Sequence, residues 1–156
     1  MGDQRTFDND PRFGLVVLAE IADRALSPAV NDPGTAIDVI GTLTRLLCNW
    51  KPDNQQTAVK NDRVAIPRLE AKDLLEDAIR PIARDGAGLI EVVLRLLNGL
   101  KIVAQLNPHF RQAALAMVGD AVGRAERALT TASDLHALEC TAAFASTKTE
   151  PACVGP

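Results

Sequence analysis

Within the stretch "ALSPAVNDPGTAID" (residues 25–38), Ser27, Asn31, Asp32 and Thr35 gather between two apolar runs, with Asp23 and Glu20 one and two helical turns back. These are oxygen donors. A hard cation favours such a set, with Asp23 and Asp32 supplying carboxylates and Asn31 a carbonyl. Ser27 and Thr35 add hydroxyls that suit a small polar ligand or a hydrolytic site. An anion is the weaker match: a helix beginning near Gly34 would present free N–H groups, but the Asp32 carboxylate competes for them. The spacing is no known metal loop, and no particular cofactor follows from it. Arg5 and Arg12 supply a positive group only if the N-terminal segment folds back over this corner.

The same residues also have a purely structural account. Pro28 and Pro33 steer Ser27 and Asp32 away from helical backbone angles. Asp32 is thereby set to cap a helix whose first position, Pro33, has no N–H to leave unsatisfied. Its charge also favours the positive end of the helix dipole. This reading needs nothing beyond capping, and it makes 25–38 a rigid corner between two antiparallel helices.

Other candidates fall short. His109 and His136 have no Cys, Ser or acidic companion at a suggestive spacing, and Cys48 and Ser27 sit in no nucleophile motif. "DGAGLIE" (85–91) has two glycines but no preceding strand, so it is not a phosphate-binding loop. "GRAER" (123–127) reads as a solvated helix face. No catalytic set emerges.

The elements that must carry the corner are helical. Apolar residues recur at helical spacing over 13–26, through Phe13, Val17 and Ile21 beside Leu18, Ala22 and Ala25. A second helix spans 33–50, with Val39, Ile40, Leu43, Leu46, Leu47 and Trp50 on its apolar side and Asp38, Thr42, Arg45 and Asn49 on its polar side. A third covers 70–84, where Pro81 is expected to kink or split it and Gly86 and Gly88 to close it. A fourth covers 89–106. A fifth follows to about residue 130, with Asn107 as its cap and Pro108 at its first position. A short extra helix fits 133–145, and 51–68 reads as an irregular loop or small β-hairpin. The expected fold is all-α, a bundle of about five helices. Residues 1–12 form an extension, 13–146 one helical domain, and 147–156 a disordered tail.

Composition narrows the functions. Seventeen basic against twenty acidic residues and 3% aromatics exclude the basic, base-stacking surface of a nucleic-acid binder. Three cysteines without a CxxC argue against a disulfide framework or a metal cluster, and make a reducing compartment the default. The start is polar, and Glu91, Arg95 and Lys101 interrupt the most apolar stretch, 89–106, so no ordinary membrane span is present. The chain is expected to be soluble, and cytoplasmic.

Arg5-Thr6-Phe7, Asp10, Phe13-Gly14, Ile21-Ala22, Ala25-Leu26-Ser27-Pro28, Asn31-Asp32-Pro33 and Thr35-Ala36 together carry a resemblance. Residues 5–47 resemble an uncharacterised family of bacterial predicted membrane proteins, a domain of unknown function. The resemblance implies membrane helices upstream in the full-length protein, placed in the plasma membrane, followed by a soluble helical domain like this one. It supplies no reaction. Two functions stay open: a non-enzymatic assembly, regulatory or sensing domain, which can form a homo-oligomer or pair with the parent's membrane segment, and a ligand- or cation-dependent corner.

Overall fold

The computed structural model describes residues 11–52 and 70–145. Six α-helices follow one another: α1 (Pro11–Leu26), α2 (Pro33–Asn49), α3 (Ala71–Asp85), α4 (Ile90–Leu106), α5 (Arg111–Ala128) and α6 (Ala132–Ala142), ending in a 3-10 turn, Ala143–Ala145. No strand occurs among the described residues. The all-α expectation therefore stands. The hairpin expected near 51–68 lies outside the described residues except for Lys51 and Pro52, and it gains no support. The extension and tail lie almost wholly outside them as well, although α1 already begins at Pro11.

The helices close a circuit: α1 packs on α2 and α3, α2 on α4, and α5 on both α3 and α4. Side-chain contacts fix the directions. Arg12 meets Asp77 and Asp23 meets Arg84, so α1 and α3 run parallel. Arg95 lies over Gly41, Gly99 against Thr44, and Asn107 against Leu47 and Trp50, so α2 and α4 run parallel too. Two helix pairs, α1–α2 and α3–α4, thus lie side by side, and α5 fills the gap between α3 and α4. The enclosed core is aliphatic, with Ile40, Leu43, Leu74, Leu75, Ile82, Leu97 and Leu100 all essentially inaccessible. Phe110 is the one fully buried aromatic among the described residues, with the half-buried Trp50 ring edge-on at 5.2 Å.

Several local expectations need correction. On α1 the buried residues are Leu15, Ala19, Ala22, Ala25 and Leu26, so Ala22 and Ala25 are in the core as expected while Leu15, Ala19 and Leu26 join them. Phe13 and Val17 are half-buried and Ile21 is exposed. Leu46 on α2 is likewise exposed rather than apolar-side core. Pro81 does not split α3, which runs unbroken through it. A proline there forgoes one backbone hydrogen bond, and the flanking buried residues Ala78, Ile79, Ile82 and Ala83 hold the helix in place. Asn107 ends α4 instead of opening α5, which starts only at Arg111. Cys48 is a free, half-buried thiol.

Candidate functional site

The corner between α1 and α2 is held by backbone bonds before any side chain is considered. Val30 and Asn31 N–H donate to the Ser27 carbonyl at 3.1 and 2.8 Å, and Asp32 N–H reaches back to the Ala25 carbonyl at 2.8 Å. Closing the chain this tightly puts Asn31 at φ 49°, in the left-handed region that asparagine tolerates better than most residues. Ser27 Oγ donates to the Arg24 carbonyl at 2.7 Å, which continues α1 by one bond. That bond commits the Ser27 hydroxyl proton to a backbone carbonyl, and among the described residues no side-chain base accepts it.

Asp32 caps α2 with both of its oxygens. Oδ1 accepts from the Thr35 backbone N–H at 3.1 Å, and Oδ2 accepts from the Thr35 hydroxyl at 2.6 Å. The Thr35 hydroxyl first, then the Thr35 and Gly34 amides, hold the Asp32 carboxyl below its ordinary value. Gly34 leaves room for this cap: a side chain there would sit 3.2 Å from Asp32 Oδ1.

Asp23 belongs to a different cluster. Arg84 Nη2 donates to its Oδ1 at 3.0 Å, while the same guanidinium grips Asp85 through Nε at 2.5 Å and Nη2 at 3.0 Å. The neighbouring Asp85 carboxylate, which hydrogen-bonds the protonated form, raises the Asp23 pKa above 3.8, and burial adds to the rise. Asp85 is held low, chiefly by Arg84. One cation thus serves two carboxylates and ties the end of α1 to the end of α3. Beside the cluster runs an open groove whose walls include Val17, Ile21, Asp23, Ser27, Pro28 and Asp85.

The five candidates therefore divide. Asp23 and Ser27 face this groove, whereas Asn31, Asp32 and Thr35 do not line it. Among the described residues, no three His, Cys, Asp or Glu side chains are grouped so that they can hold a metal ion. Arg12 is engaged by Asp77 on α3. His109 is exposed, with its ring edge-on to Trp50 at 6.1 Å. Arg84 and Asp85 are the residues that sequence reasoning missed. Their only local signal is an Arg-Asp pair before the Gly86 helix stop, and nothing local connects them to Asp23.

No solved structure matches the chain. Among the described residues, no helix is long and apolar enough to cross a membrane. The chain is similar to uncharacterized proteins of Mycobacterium bovis and Mycobacterium tuberculosis, at 34% identity over 145 residues, covering 86% of this chain. It spans only 27% of the length of these curated relatives. The family description "Predicted membrane protein (DUF2254)" matches residues 1–101, which include α1, α2, α3 and most of α4. The chain belongs to the DUF2254 family of predicted membrane proteins.

Proposed function

We propose that this chain is an extramembrane helical module of its family's membrane proteins, with a non-enzymatic role in assembly, regulation or sensing. One observation carries the reading. Five helices close around an aliphatic core of their own, in a chain that matches about a quarter of its much longer relatives. Such a core needs no lipid or neighbouring helix to be buried. Ile102 and Leu106, about one turn apart on α4 and both exposed, are candidate contact positions for a partner segment or a second copy. The test is recruitment. The chain is co-expressed with a relative lacking the matching region, and the membrane fraction is assayed for it. Co-sedimentation with that remainder supports the module; full recovery in the supernatant, with no self-association by ultracentrifugation, opposes it.

A second reading places a small polar ligand or a cation in the groove beside Asp23 and Ser27, and the shared Asp23–Arg84–Asp85 cluster favours it. A thermal-shift screen against divalent cations, phosphate and nucleotides tests it. A rise in Tm that Asp23→Asn abolishes supports the groove site. A rise that Asp23→Asn leaves intact removes its basis.

A further inference from the structure

Away from the corner, the seam between α2 and α4 carries a pair of cations that no described carboxylate neutralises. Gly41 leaves a notch in the buried side of α2. A side chain built there would meet Arg95 Nη2 of α4 at 2.9 Å and Arg45 Nη1 of α2 at 3.6 Å. Two guanidinium groups therefore converge on one point from opposite walls of the seam. Both arginines are exposed. Arg45 spends one N–H on the Thr42 hydroxyl at 3.0 Å, and among the described residues Arg95 forms no side-chain hydrogen bond. Asp38 and Glu91 are the acids nearest along the two helices. Among the described residues neither they nor any other carboxylate forms an ion pair with Arg45 or Arg95.

Like charges held this close repel, and an anion bridging them relieves the repulsion while filling their free N–H positions. Guanidinium forks match the spacing of phosphate oxygens and bind them through charge-assisted hydrogen bonds. We propose that Arg45 and Arg95, facing each other across Gly41, bind a phosphate group, either as a free anion or as the headgroup of an anionic lipid. The rest of the α4 stripe fits the second source. Arg95, Gly99, Ile102 and Leu106 follow one another at i, i+4, i+7 and i+11, and Ile102 and Leu106 are 42% and 67% exposed. A cation followed by uncovered aliphatic side chains matches a headgroup followed by its acyl chain. The lipid source rests on the membrane association proposed above; the phosphate site does not.

The test uses the full chain with two probes: inorganic phosphate, titrated by calorimetry, and vesicles of phosphatidylglycerol with phosphatidylcholine, assayed by flotation against pure phosphatidylcholine. Three variants accompany it. Arg45→Gln and Arg95→Gln each remove one cation. Gly41→Ala places a methyl group where the Arg95 guanidinium lies and touches only flexible side-chain ends, so the fold is kept and the convergence is lost. Unchanged Tm and far-UV circular dichroism confirm the fold in each. The expected result is phosphate or acidic-vesicle binding that weakens by about tenfold in every variant. Binding to phosphate and to acidic vesicles identifies the lipid headgroup. Binding to phosphate alone keeps the site and rejects the membrane source. Binding to neither probe, or binding that both Arg→Gln variants retain, overturns the proposal.

Discussion

Asp32 holds the first turn of α2 with both carboxylate oxygens on Thr35. Asp32→Ala frees two donors and is expected to lower Tm by about 2–4 °C, read by thermal circular dichroism. The sign of the pH effect follows from its lowered pKa. The carboxylate contributes stability above its unfolded pKa of 3.8, and that contribution disappears as pH falls through the lower folded value. The stability gap between the parent and Asp32→Asn should therefore close below pH 3.8 and stay constant above it. Asn31 gives a second handle through its φ of 49°. Asn31→Gly should be tolerated, whereas Asn31→Val should cost about 1–2 kcal/mol in chemical denaturation, since a β-branched residue resists that angle. Buried Asn107 is the third: its Nδ2 donates to the Leu47 and Trp50 carbonyls, both at 2.8 Å, and its Oδ1 accepts from His109 N–H. Asn107→Ala strands the buried Leu47 carbonyl and two part-buried partners and should cost about 1–3 kcal/mol, measured as a lower urea midpoint. The capping role of Asp32 was legible in the sequence because Asp-Pro chemistry is local. The Asn107 clamp was not, because its partners lie 57 and 60 positions away. Asp23 was hidden in the same way, since Arg84 is 61 residues distant.

Helix existence and type were readable from periodicity, while the facing of each helix was less so. In α1 apolar residues occupy nearly every direction, so Phe13, Val17 and Ile21 made as regular a stripe as the buried Leu15, Ala19, Ala22 and Leu26. Packing on both α2 and α3 decides between them, and no local signal records it. The α4–α5 boundary failed for a related reason. Asn-Pro is a sound cap signal, but the Asn107 amide is committed to the end of α2, and Pro108 to Phe110 form a turn before α5 starts. The parallel α2–α4 contact yields the sharpest prediction at this scale. A Cβ on Gly99 would stand 2.6 Å from Thr44 Oγ1, whose hydroxyl is fixed on the Ile40 carbonyl at 2.8 Å. Gly99→Ala should therefore destabilise by about 1–3 kcal/mol despite its better helix propensity. Adding Thr44→Ala removes the obstructing oxygen, so the double variant should recover most of the loss. A double-mutant cycle that shows simple additivity would count against this close approach.

The molecule as a whole is a closed set of helices around one aliphatic core, inside a family of predicted membrane proteins whose matched members are far longer. Composition made the core and the fold class legible, because a chain with so few aromatics and so many aliphatic residues at helical spacing has few other ways to bury them. The circuit of contacts was not legible, since it depends on α5 entering between α3 and α4, which no periodicity expresses. Membership in a membrane-protein family and an aliphatic core closed by the chain's own helices are what support the proposal that this unit folds outside the bilayer, on its own. The direct measurement is urea unfolding of the purified 156-residue chain in detergent-free buffer, followed in parallel by far-UV circular dichroism and Trp50 fluorescence. Trp50 packs edge-on against Phe110 of the core, so its emission reports the same structure as the helical signal. A helical spectrum and one cooperative transition with coincident midpoints are expected. A chain that stays soluble only in detergent, or that loses helix gradually with no shared midpoint, would contradict it.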